Sequence, residues 1–169
     1  LQSTAMGNLT VASGSQSIAM GYTTTASGTQ STAMGNQTIA SGNQSTAIGQ
    51  LTTASGQAST ALGYGTRASG QAAIAMGSAT TASGTQSTAM GYNTKASGDQ
   101  AIAFGNTTTA SGTQSIAMGL NSTASAASSV AIGNNVSALS YGETALGIFN
   151  TNYTPAQPTT FGGSDRLFV

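Results

Sequence analysis

The chain has 169 residues, of which 4% are charged and 5% aromatic; its formal net charge is zero, and it contains neither cysteine nor histidine. Three basic side chains, Arg67, Lys95 and Arg166, are too few for the electrostatic footprint of a nucleic-acid or anionic-membrane surface. No disulfide framework or thiolate metal site is available, and no histidine can activate the many serines, so neither catalysis nor a metal or cofactor is expected.

Leu1 opens inside a repeating unit, with no initiator methionine or signal peptide, so the chain reads as a piece of a longer protein. From there a tripeptide Ala-X-Gly recurs every 14 residues, at Ala5, Ala19, Ala33, Ala47, Ala61, Ala75, Ala89, Ala103, Ala117, Ala131 and Ala145, with no insertion or deletion. A fixed period of this kind marks a solenoid. Half a unit later a second tripeptide, Ala-Ser-Gly, stands at Ala12, Ala26, Ala40, Ala54, Ala68, Ala82, Ala96 and Ala110. The apolar runs are only a few residues long, too short for any segment to insert into a bilayer as a helix.

Within one unit, Ser17-Ile18-Ala19-Met20 alternates small with larger apolar residues, the period-two pattern of a strand. The following Thr24-Thr25-Ala26-Ser27 alternates in the same way, and the recurrent glycine opposes a helix. Each coil is therefore expected to hold two strands of about four or five residues joined by glycine turns.

The columns of the repeat assign its faces. The position after the recurrent threonine holds Val11, Thr25, Ile39, Thr53, Arg67, Thr81, Lys95, Thr109 and Thr123, and a column that accepts Arg and Lys faces water. Thr24 and Ala26 then face inward, as do Ser17 and Ala19 from the first strand, which leaves an interior of Ala, Ser, Thr and Gly. That assignment puts the largest apolar column outside: Met6, Met20, Met34, Ile48, Leu62, Met76, Met90, Phe104, Met118, Ile132 and Leu146. Stacked at about 4.8 Å per coil, it forms a stripe that never turns polar, and such a stripe reads as a subunit interface. Tyr22, Tyr64 and Tyr92 share a column just after the glycine turn and, with Arg67 and Lys95, are the candidate ligand contacts.

Towards the C-terminus the array decays. Ala126 and Ser140 replace glycine, and Val136 and Leu139 enter threonine and serine columns. Beyond Gly147 the aromatic residues Phe149, Tyr153, Phe161 and Phe168 gather with Pro155 and Pro158, so residues 1–147 read as the repeat array and 148–169 as a cap or connector.

The units Ser129-Val130-Ala131-Ile132-Gly133-Asn134-Asn135, Ser45-Thr46-Ala47-Ile48-Gly49 and Ser17-Ile18-Ala19-Met20-Gly21, with Ala-Ser-Gly between them, resemble the head repeats of trimeric autotransporter adhesins of the YadA type. The resemblance covers about residues 1–147. It implies an all-β fold, a left-handed parallel β-roll of 14-residue coils, with three chains side by side as a homotrimer. It also implies a non-catalytic head of an extracellular fibre anchored in the outer membrane, binding a matrix protein, a glycan or an abiotic surface. Methionine stands where that family usually has Ile or Val, which makes the stripe more adaptable. The same repeats resemble modules of phage tail fibres and structural filaments, which would place the chain on a virion tail instead. A threonine ladder, Thr10, Thr24, Thr38, Thr52, Thr66, Thr80, Thr94 and Thr108, also resembles ice-binding solenoids, although the parity of the strand turns that ladder indoors.

Overall fold

A computed structural model of the chain describes residues 2–150. Leu1 and residues 151–169 lie outside the described residues, and with them most of the expected cap or connector. The described chain is all β, with parallel pairing throughout, wound as a solenoid of two facing sheets. The first sheet stacks 11 strands of five residues, from Thr4–Asn8 and Ile18–Tyr22 to Thr144–Ile148. The second stacks 10 strands of two residues, from Val11–Ala12 to Ser137–Ala138. Each residue pairs with the one 14 positions on, as in Met6↔Met20 and Ala19↔Ala33.

The second strand is shorter than the alternating pattern predicts. After Ala26 the chain turns at once, and the N–H groups of Ser27 and Gly28 both donate to Ala40 O, at 3.0 and 3.3 Å. One acceptor shared between two successive donors ends the ladder there. The Ser31 hydroxyl then closes the turn by donating to Gly28 O at 2.7 Å.

The interior matches the expected parity. Ala19, Ala26, Ser17 and Thr24, with most of their equivalents along the roll, are fully buried, and the space between the sheets admits little else. Val136 and Glu143 extend the expected set of Ala, Ser, Thr and Gly, both at the decaying end. The threonine ladder lies inside: Thr24, Thr38, Thr52, Thr66, Thr80, Thr94 and Thr108 are buried, and their hydroxyls have no hydrogen-bond partner. A ladder closed off from solvent does not order water at a surface, and the outward threonine column is broken by Arg67 and Lys95. Ser122, in the same column, turns its smaller side chain to donate to Gly133 O at 2.9 Å.

Threonine therefore serves here by shape, and its hydroxyl is a burden. Replacing Thr80 by the isosteric valine, a residue the column already carries at Val136, is expected to stabilise the roll by about 1 kcal/mol, because a desolvated, unpaired hydroxyl disappears. Thr80→Ala should instead destabilise it by opening a cavity. Thermal unfolding of the two variants checks the signs, and a loss of stability in Thr80→Val would mean that the hydroxyl does find an acceptor.

At the last described strand of the short sheet, side chains make the hydrogen bonds that the backbone of the next coil makes elsewhere. In a regular coil the Thr123 N–H donates to Val136 O at 2.8 Å and the Ser125 N–H to Ala138 O at 3.0 Å. In the last short strand the Ser137 N–H donates to Asn150 Oδ1 at 2.8 Å, while Asn150 Nδ2 donates to Ser137 O at 2.9 Å. The Leu139 and Ser140 N–H groups donate to Glu143 Oε2 at 2.6 and 2.9 Å. Glu143 is fully buried in a column otherwise held by Ser or Ala. Glu143→Ser should release the Leu139 amide, accelerating its hydrogen exchange at least tenfold and costing about 1 to 3 kcal/mol. Unchanged protection at Leu139 would show that Glu143 does not close this edge.

Candidate functional site: the outer faces of the roll

The methionine column emerges on the outer face of the long sheet. Its strand places Ile18, Met20 and Tyr22 on alternate positions of one side, with Ala19 turned into the core. In-register pairing then lines up Met6, Met20, Met34 and Ile48, and further along Leu62, Met76, Met90 and Phe104. The column continues through Met118, Ile132 and Leu146.

Most of these side chains are half-buried, whereas Met6 in the first described strand is 55% exposed and Phe104 47%. A second column beside them adds Ile18, Ile74, Ile102, Ile116 and Val130 among threonines. Nothing else in the described chain covers this apolar band.

The five candidate ligand contacts do not form one site. Tyr22, Tyr64 and Tyr92 are exposed at the last position of long strands, along the margin of the methionine stripe. Asn36 and Gln50 separate the first two, and Ser78 separates Tyr64 from Tyr92. Arg67 and Lys95 stand on the other sheet, exposed in one column with Thr81 between them. The tyrosines thus belong with the apolar face and the cations with a face of Thr and Ser.

A third surface was not anticipated from the sequence. At the turn that leads into each long strand a glutamine column adopts a left-handed backbone, with Gln16, Gln30 and Gln44 at φ 58°, 58° and 60°. Gln30 Nε2 donates to Gln16 Oε1 at 3.1 Å and Gln44 Nε2 to Gln30 Oε1 at 3.3 Å. A second ladder joins Gln86, Gln100 and Gln114 at 3.2 and 3.0 Å. Ala58 and Ala72 interrupt the column between the two. The available signal was the recurrence of Gln at a spacing of 14, but spacing alone does not tell a ladder from solvated side chains.

These surfaces define a class: a repetitive β-solenoid with an exposed apolar band on one face and polar columns on the others. A family model described as the YadA head domain repeat, spanning two copies per match, aligns with residues 1–24, 26–52, 54–80, 82–108 and 110–135. The chain belongs to the YadA head family, the repeat heads of trimeric autotransporter adhesins. No curated protein matches it at a significant level.

Proposed function

We propose that this chain is the non-catalytic head of a cell-surface fibre, assembled as a homotrimer and adhering through its outer faces to matrix protein, glycan or another surface. The observation that carries the trimer is the unbroken outward column from Met6 to Leu146, which a single roll leaves half-covered. Covering what remains exposed is worth roughly 1 kcal/mol per side chain, about half of full burial. Over the column that reaches about 10 kcal/mol per chain, enough to offset a substantial part of the entropy lost on association. Membership of an autotransporter head family favours a fibre anchored in the outer membrane over a virion tail, and favours the left-handed winding of that family.

Tyr22, Tyr64 and Tyr92 then flank the interface, while Arg67 and Lys95 remain on the outward polar face. Light scattering on a sizing column tests the assembly. A mass near three times the 16.4 kDa of the chain is expected; a folded monomer at all concentrations would reject the methionine stripe as the interface. Adhesion is tested separately, by retention of the fragment on matrix-protein and glycan coats.

A further inference from the structure

We infer that the turn edge around Gln44 and Gln57 is a binding site for a neutral sugar, an inference that rests on the adhesive reading and gives it a location. The first glutamine ladder ends at Gln44. The next residue in the column is Ala58, which offers no amide, so Gln44 Oε1 accepts nothing from the following coil. At that break a cleft of about 250 Å³ opens, lined by Thr29, Gln30, Asn43, Gln44 and Gln57.

The residues that line the cleft keep unused hydrogen-bonding capacity. Asn43 spends its Oδ1 on the Thr29 N–H at 3.0 Å and keeps both protons of its Nδ2. Gln30 uses one amide proton in the ladder and keeps the other. The whole carboxamide of Gln57 and the hydroxyl of Thr29 are free. Gln44 supplies an acceptor whose own N–H is already engaged, which strengthens it as an acceptor.

Donors and acceptors are therefore interleaved, with no charged side chain among the lining residues. That arrangement matches vicinal hydroxyl groups, each of which donates and accepts, and offers no cation to neutralise a phosphate, sulfate or carboxylate. The second ladder supplies an internal control. At its end, beside Gln114, Thr113 stands where the first ladder has Asn43 and Ala127 where it has Gln57, and Asp99, which accepts the Thr85 N–H at 2.8 Å, stands where it has Thr29 and introduces a negative charge. A ladder alone is thus a structural device; the charge-free cleft at the first ladder's end is the added feature.

With no aromatic side chain lining the cleft to stack on a sugar ring, single-site affinity should be weak, in the range of about 1 mM. A multivalent head would raise it through avidity.

The test is a titration of the whole fragment with lactose and maltotriose, and with sialyllactose as the charged comparison, read from the side-chain amide resonances of isotope-labelled protein. Shifts at Asn43 and Gln57 with a neutral sugar are expected. Gln57→Ala should weaken binding about tenfold, through lost hydrogen bonds, and Gln100→Ala in the second ladder should leave it unchanged.

Saturating neutral sugar without shifts at those amides, equal binding by Gln57→Ala, or a response to the charged sugar alone would overturn the assignment. The two readings fail separately. Adhesion to protein coats with no sugar response removes the cleft and spares the adhesive role; a sugar response in a fragment that adheres to nothing does the reverse.

Discussion

Met76→Asp combined with Met90→Asp is expected to leave a folded roll that no longer assembles. The two side chains are register partners on neighbouring long strands and point away from the alanine core. As a monomer, the variant exposes the new carboxylates to water and loses only a small cross-strand term, below about 1 kcal/mol, from like charges side by side. In the proposed trimer the same carboxylates would have to be desolvated without partners, at several kcal/mol each. Two per chain exceed what the remaining stripe can offset.

Light scattering should report the monomer mass while circular dichroism retains the β signal. Thr81→Asp, in the outward column of the opposite sheet, should change neither. If both variants dissociate to the same extent, the interface lies elsewhere or the faces are misassigned. If neither does, the methionine stripe is not an interface.

Gly77→Ala should cost the roll about 4 kcal/mol or more and lower its yield of folded protein. Gly77 has a φ of 117°, and a Cβ built on it would sit 2.1 Å from Gly91 O and 3.0 Å from Gly91 C. Both atoms are backbone in the next coil, so no side chain can move aside, and relief would require opening the parallel ladder. Costs of this size come from strain combined with overpacking.

Gly65→Ala provides the contrast. Its φ is 61°, and no atom lies within 4 Å of a Cβ placed there. Leu9, Thr23 and Ala79 occupy the same column with φ of 56°, 53° and 55°. The expected cost is that of a left-handed residue alone, about 1 kcal/mol. Denaturant unfolding of both variants measures the difference, and comparable losses would mean that conformational strain, not the approach of neighbouring coils, explains the invariant glycine of Ala-X-Gly.

Much of this molecule was legible before its coordinates, because the repeat makes every long-range contact a local statement. Once residue i stacks on residue i+14, a column of the sequence is a column of the structure. Arg67 and Lys95 then reveal which parity faces water, and the positions of Thr24, Ala26 and Met20 follow by alternation. The β-solenoid fold, the small-residue interior and the outward apolar stripe all follow from that one relation.

What the sequence could not decide depends on how groups meet across a turn or at an end, where the stacking rule gives no answer. The short strand stops after two residues because Ser27 and Gly28 share one carbonyl, a matter of backbone direction that alternation does not encode. The Gln16–Gln30–Gln44 ladder depends on side-chain torsions, and the cleft beyond it on the step from Gln to Ala58 in three dimensions. Glu143 and Asn150 look like lapses in the repeat when read along the chain. Only the tertiary structure shows them supplying, from side chains, the hydrogen bonds that backbone carbonyl and amide groups supply in the preceding coils, because the polar groups of a buried ladder must be satisfied.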